Sequence, residues 1–231
     1  MASWSIEPDL REINIAGPTV LQLGFGFLAL VPDMDVPPKP QDWLSPADHD
    51  RFVCFEHPDV AVAFAAGRYA LLLASKALGH DTRSYVILDG PAGYKPQFGP
   101  EAKGLTFNIS HTPGLAICLA AQSTDVGCDC ERTDRTVDTT ALIETLGLKG
   151  LHAPNALLAW TRFEAMLKLT GRGLNQWFPN DGNERTLEPV VDQIWPRLVG
   201  IKTLLINQSF YASYCHTHMS PPVNVAVPPD Q

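Results

Sequence analysis

The chain has 231 residues, 45% hydrophobic and 18% charged, with a formal net charge of −8. That length holds one large domain or two small ones with real cores. The acidic balance excludes broad binding to nucleic acid or to an anionic membrane, which needs a basic face, and leaves open a local basic pocket for a phosphorylated small molecule.

Residues 1–17 are mixed and polar and read as an irregular lead-in, with no basic stretch followed by an apolar one, so no signal peptide is expected. The longest apolar run, Val20 to Val31, is too short to span a bilayer and reads as one buried strand, with Gly24 and Gly26 marking a bulge or a close backbone approach. Four prolines within residues 32–41 predict a surface loop. Ser45 and Pro46 are a helix start, Ser45 as N-cap and Pro46 at the first helical position, with Asp48 completing a weak capping box. Val60 to Leu78 is a long helix, apolar nearly all round, with Arg68 in its middle. Arg68 is either snorkelling to the surface or an anion ligand at a pocket edge.

Tyr85 to Leu88 is a short strand, and the glycine- and proline-rich stretch 90–100, which carries Lys95, is a loop. Phe107-Asn108-Ile109-Ser110-His111 ends one strand, Leu115 to Ala121 is the next, and Val126 to Glu131 follows. Thr133 to Thr140 is a polar linker and Leu142 to Leu146 a short helix candidate. Pro154 to Leu169 is a strong helix closed by Gly171 and Gly173. Residues 186–213 hold two or three strands, and a proline-rich tail surrounds one last strand, Val223 to Val227. The five cysteines (54, 118, 128, 130 and 215) have no framework or CxxC spacing and read as reduced structural thiols in a cytosolic protein.

The chemistry concentrates in two of these elements. In the strand Val126-Gly127-Cys128-Asp129-Cys130-Glu131, side chains two apart share a face, about 6.5–7 Å from one another. Asp129 and Glu131 share one face and the two cysteines the other, so the strand is either a solvated acidic edge or half of a divalent-cation site. In the helix, Glu164 and Lys168 lie one turn apart, flanked by Leu157, Trp160 and Leu167. They form either a surface ion pair or the charged wall of a cleft. Asp129, Glu131 and Glu164 together could give Mg²⁺ the oxygen ligands it prefers, with phosphate oxygens and water completing the shell, provided the helix packs over the strand. Arg68, Lys95, Ser110 and His111 are then candidates for other phosphates of the same ligand.

On these residues the chain resembles the larger, surfactin-synthetase-activating class of 4′-phosphopantetheinyl transferases. That family carries (V/I)-G-(V/I)-D-(V/I)-E and, some thirty residues on, W-x-x-K-E-A-x-x-K. They stand here as Val126 to Glu131 and as Trp160-Thr161-Arg162-Phe163-Glu164-Ala165-Met166-Leu167-Lys168. Gly67-Arg68, Lys95-Pro96 and Asn108-Ile109-Ser110-His111 match further family patterns in order, over residues 43–174. The resemblance implies an α/β (α+β) fold made by pseudo-twofold duplication, with subdomains 1–112 and 113–231 and coenzyme A in the cleft between them. A weak internal echo, Arg68 to Leu73 against Glu164 to Leu169, points the same way. It further implies Mg²⁺, or Mn²⁺, held by Asp129, Glu131 and Glu164. Arg68, Ser110 and His111 would lie on the 3′-phosphate, and the Lys95-Pro96 loop along the adenine. Glu164 would act as base, and Lys168 would stabilise phosphate charge or protonate the leaving group. The acceptor would be a serine of an apo acyl or peptidyl carrier protein in fatty-acid, polyketide or nonribosomal-peptide synthesis, served by a cytoplasmic monomer with no nucleic-acid or membrane partner.

Four departures from the family pattern stand out. Phe163 replaces the usual lysine, Cys128 and Cys130 replace aliphatic residues, and Tyr94 stands where glycine is usual. Ahead of Arg68 only Arg11, Lys39 and Arg51 are lysine or arginine. Phe163 and the scarcity of basic residues ahead of Arg68 motivate an alternative, a non-catalytic binder of coenzyme A or carrier protein. A third reading is an unrelated Mg²⁺-dependent phosphate enzyme using the same carboxylates.

Overall fold

The computed structural model describes residues 10–89, 95–136, 153–171 and 198–217. Its centre grows from the period-two pattern of residues 115–132. Strand β7 (Leu115–Gln122) is apolar on both faces because both are covered. Leu115, Ile117, Leu119 and Ala121 face a core shared with Val126, Cys128 and Cys130 of β8 (Val126–Arg132). Ala116, Cys118 and Ala120 face a helix instead.

The remaining elements are β1 (Leu10–Ile13), β2 (Thr19–Gln22), β3 (Gly26–Pro32), α1 (Pro46–Val53), α2 (Pro58–Ala77), β4 (Ile87–Leu88), β5 (Gln97–Phe98), β6 (Leu105–Thr112), α3 (Ala153–Leu169), β9 (Leu198–Ile206) and β10 (Phe210–Thr217). Two four-stranded sheets, ordered β2-β3-β7-β6 and β1-β9-β10-β8, pack face to face through that shared core. Helix α2 covers the outer face of the first sheet and α3 that of the second, in a mixed α+β fold. Among the described residues, all strand pairings are antiparallel except β1 with β9.

Three local expectations change. The run Val20 to Val31 is not one strand but a hairpin, because the chain turns at Leu23–Phe25, where Leu23 N–H donates to Gly26 O at 2.8 Å. Gly26 does mark a close approach, since a Cβ there would lie 2.3 Å from Ala120 O on β7. The lead-in contains β1, an edge strand whose partner β9 is nearly two hundred residues away, at Leu10↔Thr203 to Ile13↔Ile206. Before β4, residues 82–84 form a single 3₁₀ turn, so the strand at 85–88 shortens to two residues. β7 sits between β3 and β6 in the first sheet, and β8 belongs to the second together with β1. The expected helix 142–146, the strand 223–227 and residues 186–197 lie outside the described residues.

The capping signal at Ser45 is realised: its Oγ accepts the Asp48 N–H at 3.1 Å and α1 starts at Pro46. Helix α2 has the length and apolar composition of a bilayer span (20 residues, mean hydropathy 1.4). Half of that span is buried, against β3, β6 and β7. Among the described residues all five cysteines are free thiols, four of them buried. Burial pushes the Cys128 thiol up to about 12, which keeps it protonated and inert.

The two sheets are joined where β6 meets β8. The Cys128 N–H donates to Asn108 Oδ1 at 2.8 Å and the Cys130 N–H to Ser110 Oγ at 3.4 Å. Side chains at alternate positions of β6 thus satisfy the edge of β8 that β10 leaves open. Asn108→Ala leaves one of these N–H groups buried without its acceptor. It should lower stability by about 1–3 kcal/mol, read as a lower urea midpoint at unchanged slope. An unchanged midpoint would mean that water reaches this edge.

Candidate functional site

Gly127 determines how α3 sits. A Cβ at this position would lie 2.1 Å from Ala165 O and 2.6 Å from Leu169 N. Only glycine lets the backbone of α3 rest on β8. Cys215 closes the same contact from β10, its thiol lying 3.4 Å from Ala165 O and 3.6 Å from Gly127 O. The helix therefore crosses β8 on the face opposite the two cysteines, which is the face of Asp129 and Glu131.

Lys168 then reaches Asp129. Its Nζ donates to Asp129 Oδ1 at 2.5 Å and to Ser110 Oγ at 2.9 Å, while Ser110 Oγ donates to Asp129 Oδ1 at 2.7 Å. The Asp129 side chain is 6% exposed and that of Lys168 is 27% exposed. The other carboxylate oxygen, Asp129 Oδ2, is buried and accepts no hydrogen bond among the described residues. An anionic oxygen in that state is costly unless something cationic or protic meets it.

These groups line a cleft of about 410 Å³ that contains Ser110, His111, Asp129, Glu131, Glu164 and Lys168 together. Six of the residues singled out from the sequence thus converge from β6, β8 and α3. Glu164 is raised above the usual carboxylate range by burial, against the pull of the Lys168 ammonium. Glu131 is raised by burial and by the Asp129 charge. Burial opposes the charge on Lys168, but Asp129 and Glu164 outweigh it and hold the ammonium above its ordinary value. Trp160 and Arg135 also line the cleft.

Arg135 was not read from the sequence. It ion-pairs with Glu131, from a turn in which its own N–H donates to Arg132 O at 3.1 Å. The only sequence signal is a basic residue four places after Glu131, in a stretch without helical or strand pattern.

The other candidates lie elsewhere. Arg68 does not line this cleft. Its Nε donates to Asp48 Oδ1 at 2.8 Å, with both side chains largely buried, and its guanidinium stacks over Phe64 at 4.9 Å. It pins α1 to α2. Lys95 and Pro96 line a second cavity of about 170 Å³ with Phe98, Phe107 and Asp125. Lys95 Nζ donates to Val126 O at 3.2 Å and its N–H to Gly171 O at 3.0 Å, tying this loop to the start of β8 and the end of α3. Burial lowers the Lys95 ammonium below its ordinary value. Phe163 is 1% exposed and packs in the core beneath α3.

Among the described residues, no three His, Cys, Asp or Glu side chains stand as a preformed metal cage. The donor chemistry nevertheless fits a hard cation. Asp129, Glu131 and Glu164 offer only oxygen, and Asp129 presents a buried oxygen without a partner. No protein-family model matches the chain, and no curated protein matches it.

Proposed function

We propose that the chain transfers the 4′-phosphopantetheine group of coenzyme A to a serine of an apo acyl or peptidyl carrier protein, releasing 3′,5′-ADP, as a cytoplasmic monomer. The observation that carries this reading is the convergence of Ser110, His111, Asp129, Glu131, Glu164 and Lys168 on one cleft. These residues come from three separate motifs of the resemblance. The connectivity supports the duplicated fold that goes with it. Among the described residues, β3, α2, β6, β7 and β8, α3, β9, β10 follow the same strand, helix, strand, strand order with the last strand central, α1, β4 and β5 being additional in the first set.

Asp129, Glu131 and Glu164 would hold Mg²⁺ or Mn²⁺, which when bound supplies charge neutralisation at the pyrophosphate. Glu164, its carboxyl raised by burial, takes the proton of the carrier serine as that hydroxyl oxygen attacks the β-phosphate. The bond between the β-phosphorus and the bridging oxygen breaks, and the leaving oxygen departs on 3′,5′-ADP. Lys168, fixed by Asp129 and Ser110, keeps a full positive charge beside the phosphates. His111 meets the 3′-phosphate, Ser110, its one hydroxyl proton given to Asp129, holds Lys168 and Asp129 in place, and the Lys95-Pro96 cavity takes the adenine side. Arg68, its charge already met by Asp48, serves the packing of α1.

The test is incubation with coenzyme A, Mg²⁺ and several apo carrier proteins, read by mass spectrometry as the phosphopantetheine mass increment. The increment is expected with wild type and absent with the Asp129→Ala, Glu164→Ala double variant. An increment that survives in that variant would overturn the residue roles. Coenzyme A binding without any increment in wild type would replace the transferase by a non-catalytic binder.

A further inference from the structure

The two carboxylates of β8 that face the cleft each carry an internal cation, Asp129 held by Lys168 and Glu131 by Arg135. The two cations differ in freedom. Lys168 projects from a packed helix, is 27% exposed, and is held by Ser110 as well as by Asp129. Arg135 is 48% exposed, sits in a turn three residues beyond the end of β8, and covers a Glu131 that is only 12% exposed. One is held from two sides and the other stands at the rim of the cleft.

We propose that Arg135 is an exchangeable counterion, holding Glu131 until a divalent cation takes that carboxylate and then turning to a phosphate oxygen of the ligand. This rests on the reading that Asp129, Glu131 and Glu164 take the cation. A divalent ion and a guanidinium compete for the same carboxylate oxygens, so Arg135 opposes cation binding in the absence of an anion. Once displaced it keeps its charge, since a guanidinium does not lose its proton in proteins. It already lines the cleft, and its planar donor fork matches phosphate as well as carboxylate. A phosphate group in the cleft therefore rewards the displacement. Cation and phosphate bind synergistically, each raising the affinity of the other by the same factor. The device prevents the cation from settling in the cleft without its substrate.

The test is isothermal titration of Mg²⁺ into wild type, Arg135→Gln and Arg135→Lys, each with and without saturating inorganic phosphate. Circular dichroism serves as a check of folding. Without phosphate, Arg135→Gln should bind Mg²⁺ about five-fold more tightly than wild type. Phosphate should tighten Mg²⁺ binding to wild type about five-fold more than it tightens binding to Arg135→Gln, the lower end of ordinary coupling between sites, because direct phosphate ligation of the cation is common to both. Arg135→Lys should retain part of the coupling. If Arg135→Gln binds Mg²⁺ no more tightly than wild type, or responds to phosphate as wild type does, the exchange is wrong while the cation site stands. If neither folded protein binds Mg²⁺, the cation reading itself fails and the exchange with it.

Discussion

Gly127→Ala is expected to destabilise the protein by about 3 kcal/mol or more, at the upper end of the range for overpacked cores, and to take the cleft apart. The added methyl would stand 2.1 Å from Ala165 O, 2.6 Å from Leu169 N and 3.0 Å from Leu169 Cα. All three are backbone atoms of α3, so no rotamer change relieves the clash. Either α3 lifts from β8 or β8 bends away from β10. Both moves separate Lys168 from Asp129, and the second carboxylate oxygen of Asp129 is already without a partner. A buried carboxylate that loses its cation adds to the loss. Urea unfolding measures the change as a fall in midpoint. Gly200→Ala on β9 is the control, because no described atom lies within 4 Å of its Cβ position and its effect should stay within about 0.5 kcal/mol. Equal midpoints for the two variants would mean that α3 does not rest on β8.

Gly127 also shows what can be read from a sequence of this kind. The alternation Asp129, Glu131 against Cys128, Cys130 is a local property of a strand, so the split into a site face and a packing face was legible, and the structure has it. The one-turn spacing of Glu164 and Lys168 is legible for the same reason. That the helix lies over the strand depends on contacts between Gly127 and residues about forty positions away, and periodicity carries no trace of them. Ser45 and Pro46 were legible because capping is settled within four residues. The hairpin at Leu23–Phe25 was not, because a continuous apolar run looks the same whether it is one long strand or two paired ones. Strand β1 was hidden by its exposed, polar character and by a partner at the other end of the chain. Arg68 was visible as a charge in an apolar helix, but its partner Asp48 is twenty residues upstream and meets it only once α1 docks. Ser110 drew notice as a ligand and Asn108 only as part of a motif, whereas the structure uses both to join two sheets.

On the proposed function, Glu164→Gln should lower transfer by about 10²- to 10⁴-fold, the usual contribution of a general base, and at the same time stabilise the metal-free protein near neutral pH. The two effects have one cause. Burial raises the Glu164 carboxyl in the folded state above its ordinary value of about 4.3. Between those two values the folded protein holds a proton that the unfolded chain has released. Folding stability therefore falls as pH rises through that window, and above it the full penalty of burying the charge is present. A glutamine amide does not ionise and escapes the penalty. The variant should exceed wild type by about 1 kcal/mol at pH 7, an ordinary gain for relieving a functional site, with the difference shrinking towards zero below pH ~4. Urea midpoints at pH 4 and pH 7 in the presence of a chelator measure both. Added Mg²⁺ should reverse the order at pH 7, because a bound cation stabilises only the folded protein that can hold it, and a neutral amide is a poorer ligand than the native carboxylate. A variant less stable than wild type at pH 7 without metal would mean that the ionised carboxylate is held by Lys168 as a structural pair. The base role would then belong to another residue of the cleft.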